Sequence, residues 1–217
     1  SIDVYAKQML ESFARFWPPE VPLMVQLDDD LLFEQVEKML RPQDAIAVGL
    51  EDAHEAFLAR NKDKDHATNY RKQVTRFSYK VFALKRAMEA ALMARKENLV
   101  DAPRYLIWMD ADVHTKRQVT MQDIEKCLPK EGDAVAYLGR KDWNHSECGW
   151  LAFDLANAGD EFIETFANQY ISDNVLKMDE WHDSWVFDTV RKSAGAPPAT
   201  NLTEDKPGMD IWPQSPM

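Results

Sequence analysis

RYLIWMDADVHT, residues Arg104 to Thr115, decides the fold of this chain. Tyr105 to Met109 is an uninterrupted apolar run with Pro103 before it and charges after it, which predicts a buried β-strand. The run stops at two carboxylates one residue apart, Asp110 and Asp112. In open α/β sheets ligands bind just beyond the carboxyl ends of the strands, where these two side chains stand. Two carboxylates this close repel each other unless a cation lies between them, and hard divalent ions such as Mg²⁺ and Mn²⁺ prefer oxygen ligands. The natural partner of such a pair is a metal-bound diphosphate.

Asp-x-Asp occurs twice more, at Asp28 with Asp30 and at Asp63 with Asp65. The second of these lies in the polar run NKDKDH, a solvated loop. The first also follows an apolar strand. What sets Asp110 and Asp112 apart is a long amphipathic helix leading into a more apolar strand.

A chain of 217 residues is long enough for one α/β domain with a full core, and 45% hydrophobic residues, with seven Trp and ten Phe, support a packed globule. Only seven Gly, with no GxGxxG and no GxxxxGKS pattern, argue against a Gly-rich phosphate loop. The apolar runs fall short of the ~18 residues of a membrane span. The opening, SIDVYAKQMLESF, is charged and amphipathic, unlike a signal peptide. A net charge of −11 opposes non-specific binding to nucleic acid, so a nucleic-acid acceptor is disfavoured. Two thiols, Cys127 and Cys148, do not make a disulfide scaffold, and a reduced cytoplasm is the simplest home. Asn144-His145-Ser146 and Asn201-Leu202-Thr203 match the glycosylation pattern, which has little meaning without a secretory signal.

In chain order the periodicity predicts a helix over Ile2 to Phe16 ended by Pro18-Pro19, a strand over Leu23 to Leu27, a short helix over Leu31 to Leu40, a strand over Ala45 to Gly49 and a helix over Glu51 to Arg60. A polar loop, Asn61 to Asn69, has the composition of a lid. Val74 to Lys96 is the clearest helix, striped by Phe77, Val81, Leu84, Met88, Ala91 and Leu92, with Lys80 beside the stripe. After the central strand come a helix over Met121 to Leu128, strands over Ala134 to Leu138 and Gly149 to Phe153, and helices over Glu161 to Ile171 and His182 to Arg191. This alternation predicts an α/β fold, a mostly parallel central sheet with helices on both faces. Residues 1–192 form the predicted domain, and 193–217, rich in Pro, Ala, Asn and Asp, an extended tail packed on it. A doubly wound sheet usually opens with a strand, so a first strand is expected before Ser1.

With these segments placed, the chain resembles the GT-A glycosyltransferases, a Rossmann-like group, and within them the glycogenin-like and bacterial galactosyltransferase-like enzymes. The residues that carry the resemblance are FSYKVFAL (77–84), YLIWMDADVHT (105–115), ECGWLAFD (147–154) and EWHDSWVFD (180–188). The shared feature is their order: a helix bearing Lys or Arg, a strand ending in Asp-x-Asp, a Gly-containing strand, then an Asp-bearing helix start.

The resemblance implies a nucleotide-sugar donor, a UDP- or GDP-sugar, and a Mn²⁺ or Mg²⁺ ion that bridges the two phosphates and neutralises the departing diphosphate. It places Asp112 on the metal, Asp110 on metal or ribose, Lys80 near the sugar or phosphates, Gly149 where the backbone approaches the donor sugar, and Asp28 near the nucleotide base. Asp183 becomes the acid on the acceptor side, a general base if the enzyme inverts and a positioning group if it retains. Plainer roles stand beside these: Lys80 as a solvated helix lysine, Asp183 as a helix N-cap, His182 as a surface histidine. Trp150 and Trp181 could stack on a sugar, with core packing the expected job of at least one. The group's third metal ligand, a His in a C-terminal Gly- and Lys-containing segment, has no counterpart after Arg191; His114, two residues past Asp112, is the nearest substitute.

Two other functions fit parts of the pattern. A haloacid-dehalogenase-like phosphatase also uses a strand ending in Asp-x-Asp, but there the motif sits near the N-terminus, whereas about half of this chain precedes Asp110. A non-catalytic nucleotide-sugar-binding relative would explain the missing histidine but not the retention of Lys80, Asp110, Asp112 and Asp183. A sugar nucleotidyltransferase would want a Gly-rich N-terminal loop.

Overall fold

A computed structural model describes residues 6–99, 102–141 and 145–203. Ile2 to Tyr5 of the predicted first helix, Asn144, and the tail beyond Thr203 lie outside the described residues. The described residues form two compact units: 6–50 with 109–127, and 51–99, 102–108, 128–141 and 145–203.

In the first unit, α1 (Lys7–Phe16) buries Met9, Leu10 and Phe13 at helical spacing. It stops because Trp17 is extended and Pro18 follows, a residue that disfavours helical backbone before it. Trp17 stacks on Phe13 with ring centroids 4.7 Å apart, and its indole N–H donates to the Thr115 hydroxyl at 2.9 Å. The Arg41 guanidinium donates to the carbonyls of Trp17, Pro18 and Val21, pairs with Asp44 at 2.8 Å, and lies 4.6 Å from the Phe13 ring centre. Strands β1 (Met24–Leu27) and β2 (Ala45–Val48) pair in parallel around α2 (Phe33–Glu37), a small βαβ unit. Helix α5 (Met121–Glu125) starts at a capping box in which Thr120 and Asp123 satisfy each other's backbone N–H groups.

The second unit contains α3 (Asp52–Asn61), α4 (Val74–Lys96), β3 (Tyr105–Met109, with Met109 assigned to the first unit), β4 (Val135–Leu138), β5 (Glu147–Asp154), α6 (Gly159–Ile171), α7 (Asp183–Arg191) and β6 (Ala199–Asn201). Its sheet has the order β3-β5-β4-β6. β4 runs antiparallel to β5 and parallel to β6, so this sheet is mixed while β1 and β2 are parallel. The fold is α/β as expected; β6 falls in the segment read as an extended tail. Among the described residues the predicted central strand is not central in this sheet: β3 stands at one end of the order and is half-buried along its length. β5, buried from Cys148 to Asp154, holds an interior position instead. An apolar run of five residues cannot tell an edge from a centre, because both present one face to the core.

The core of this unit is aromatic. Phe57, Phe153, Phe162, Phe166, Tyr170 and Phe187 are fully buried, and several rings meet at tilted or edge-to-face angles. Leu84 and Met88 bring the α4 stripe into it. His54 is buried on α3, stacked 4.3 Å from Phe82, with Nε2 2.9 Å from the Ser78 hydroxyl. That hydroxyl donates to the Thr75 carbonyl, so it accepts from His54. Burial pushes the His54 imidazole down to about 4. The polar loop before α4 is anchored rather than loose at Asp65, whose carboxylate accepts from the Thr75 N–H at 3.0 Å and from its hydroxyl.

Candidate functional site

Lys80 is not a solvated helix lysine. Its position beside the apolar stripe of α4 carries the side chain into the second unit, where it is 11% exposed. The ammonium pairs with the Asp183 carboxylate, donates to the Cys148 carbonyl at 2.9 Å and lies 5.6 Å from the centre of the Trp108 ring. The Cys148 carbonyl is available because β5 bulges: Tyr137 faces Leu151 while Leu138 faces Glu147, so Cys148, Gly149 and Trp150 fall between two consecutive pairings. Gly149 is buried in this bulge, its N–H donating to Glu147 Oε1 at 2.8 Å. Trp150 is buried, and Trp181 is partly buried against the core.

Asp183 opens α7 as its first helical residue. The N-cap position belongs to His182, so Asp183 does not cap the helix. A carboxylate in the first turn still gains from the helix dipole. Burial alone would raise its pKa; the Lys80 ammonium, His182 and the Ser184 backbone N–H outweigh that and hold it below the usual carboxylate range.

His182, expected at the surface, is 3% exposed. Its Nε2 lies 2.7 Å from Glu180 Oε2, while Arg71 Nη1 donates to Glu180 Oε1 at 2.7 Å. Burial lowers the His182 pKa, and the neighbouring His145 adds to this; the hydrogen bond to Glu180 opposes it without reversing it. His145 meets His182 edge-on with ring centroids 4.6 Å apart. It is held there by the next residue: the Ser146 N–H and hydroxyl both donate to the buried Asp188 carboxylate on α7 at 3.0 and 2.8 Å. Sequence reasoning missed Glu180 and His145. A Glu and a His two apart, just before an acidic helix start, was the available signal for the first, since alternate residues of an extended segment share a side.

The other expected donor residues belong to the first unit. Asp110, half-buried, follows β3 directly, and its carbonyl accepts from the Val113 N–H at 3.0 Å, forming a turn. Asp112 and His114 are exposed on that segment, and Asp28 is exposed after β1. The two carboxylates offer hard oxygen donors at a strand end, a set that suits Mg²⁺ or Mn²⁺. Among the described residues, the group of three or more metal-ligating side chains that comes together is His145, Glu180 and His182, not one built on Asp110 and Asp112. No described helix is long and apolar enough to cross a membrane.

No family model matches the chain, and no curated protein matches it. Among solved structures it is similar to the crystal structure of mouse xyloside xylosyltransferase 1 in its apo form, with a TM-score of 0.54 over 92% of this chain and 79% of that one, at 9% sequence identity. Identity that low speaks for architecture and not for chemistry. The chain therefore has an α/β fold like that of a glycosyltransferase.

Proposed function

We propose that this protein is a metal-dependent glycosyltransferase that moves a sugar from a nucleoside-diphosphate donor to an acceptor hydroxyl. The observation that carries this reading is the carboxylate pair, Asp110 and Asp112, directly after β3 in a chain with a sugar transferase's fold. Asp112, with Asp110 on metal or ribose, would hold Mn²⁺ or Mg²⁺, which when bound offsets the negative charge gathering on the leaving diphosphate. Asp28 would serve the nucleotide base, and Gly149 would admit the donor sugar. Lys80 presents its ammonium to sugar or phosphate. Asp183 is the acceptor-side acid. Its pairing with Lys80 lowers its affinity for a proton, which favours accepting a hydrogen bond from a sugar hydroxyl over acting as a strong general base.

The test is thermal stability with UDP, GDP and their sugar conjugates, with and without Mn²⁺. A rise in Tm with one nucleotide only when metal is present supports the transferase. Stabilisation by fluoroberyllate without nucleotide preference supports a phosphatase instead. Metal-dependent nucleotide binding without donor turnover on any acceptor leaves a nucleotide-sugar-binding relative.

A further inference from the structure

His145, Glu180 and His182 each point one ligand atom at the others, all within 4.8 Å of one another. We propose that they form a transition-metal site of the second unit, suited to Zn²⁺ and using neither Asp110 nor Asp112 as a ligand. Two imidazoles and one carboxylate are the donor set of a borderline cation such as Zn²⁺ or Co²⁺, whereas paired aspartates select harder ions. His145 and His182 are buried, and Glu180 is partly so. A cation would enter this cluster with its ligand atoms already within 4.8 Å of one another.

The supporting shell has the form that metal ligands use. Glu180 Oε1 is occupied by Arg71, which fixes the carboxylate plane and leaves Oε2 on the side of the histidines. His145 Nδ1 sits 3.4 Å from the Ser146 carbonyl, which can only accept, so Nδ1 is the donor of that contact and Nε2 would be the metal-binding nitrogen. The backbone is fixed on both sides, by Ser146 on Asp188 and by the Trp181 N–H on the Arg71 carbonyl at 2.7 Å. Binding a metal through His182 Nε2 would require that nitrogen to give up any proton it shares with Glu180, and Nε2 and Oε2 would then be neighbouring ligands. Three protein ligands leave a position for water or a substrate oxygen. His182 immediately precedes Asp183, so the ion would also fix the start of α7.

The experiment is a Co²⁺ titration of the full chain after removal of divalent ions, read by visible absorption. The wild type is expected to develop saturable d–d bands at one equivalent, bleached by Zn²⁺. Glu180→Gln and His145→Asn are expected to lose them, while Asp112→Asn keeps them. Featureless wild-type spectra overturn the proposal, as do bands of full intensity in both variants. Near-UV circular dichroism identifies a variant that fails to fold, in which case the wild type and the other variant decide. Because the readout involves no nucleotide, its failure is distinct from failure of the transferase reading.

Discussion

The ammonium of Lys80, midway along the first half of α4, pairs with the carboxylate of Asp183, the first residue of α7. Their side chains are 11% and 8% exposed, so each neutralises a charge that burial would otherwise penalise. The pair thus ties two helices together and keeps one carboxylate ionised within the core of the second unit.

Lys80→Met leaves that carboxylate without its partner and should cost about 3 kcal/mol in urea unfolding. Adding Asp183→Leu should restore most of the loss, since both charges are then gone. A double variant no more stable than Lys80→Met would show that the pair is not coupled.

Asp183→Asn keeps the shape of the side chain and removes its charge. Donor binding, followed by thermal shift, should survive, while turnover should fall by about 10²-fold, the scale of losing one positioned polar group. Full activity in this variant would leave Asp183 a structural partner of Lys80 alone.

Asp112→Asn should abolish stabilisation by nucleotide plus Mn²⁺ without lowering the Tm of the free protein, because the side chain is exposed. Unchanged affinity would move the donor site elsewhere.

His54 gives a pH dependence. Unfolded, its imidazole takes up a proton near pH 6.5; folded, burial holds it down to about 4. The unfolded state therefore binds more protons between these values. Stability from this residue is complete above pH ~6.5, falls as the pH drops below that, and levels off beneath about 4. At about 1.4 kcal/mol per pKa unit, the loss should be about 3 kcal/mol in denaturant titrations. His54→Gln, which can still donate to Ser78, should flatten that part of the profile.

Gly159→Ala should destabilise by about 2 kcal/mol, the cost of overpacking. A Cβ at this position would lie 2.6 Å from the Asp154 carbonyl oxygen, which is backbone and cannot swing aside. Chemical denaturation measures the cost, and an unchanged midpoint would mean that α6 slides freely on the end of β5.

Much of the element order was legible because it rests on periodicity. The α4 stripe predicts Val74 to Lys96, and the structure has those bounds; the α/β alternation likewise survives in α1 through β5. The failures share a cause, dependence on contacts distant in sequence. The burial of His182 follows from Glu180, His145 and the aromatic rings of Phe77 and Tyr70 around it, none of which periodicity locates. The bulge of β5 requires knowing its register with β4, and the edge position of β3 requires knowing which strand stands inside. Lys80 was singled out by resemblance, but its carbonyl partner belongs to no side-chain motif.

That partner has its own consequence. Since the Cys148 oxygen that accepts the Lys80 hydrogen bond is main chain, mutation at position 148 leaves the acceptor in place, and only the room around a buried thiol limits what can be put there. Shortening or lengthening the strand by a single residue would be another matter: the oxygen would rotate out of line, and the lysine would lose its bearing with no side chain having changed.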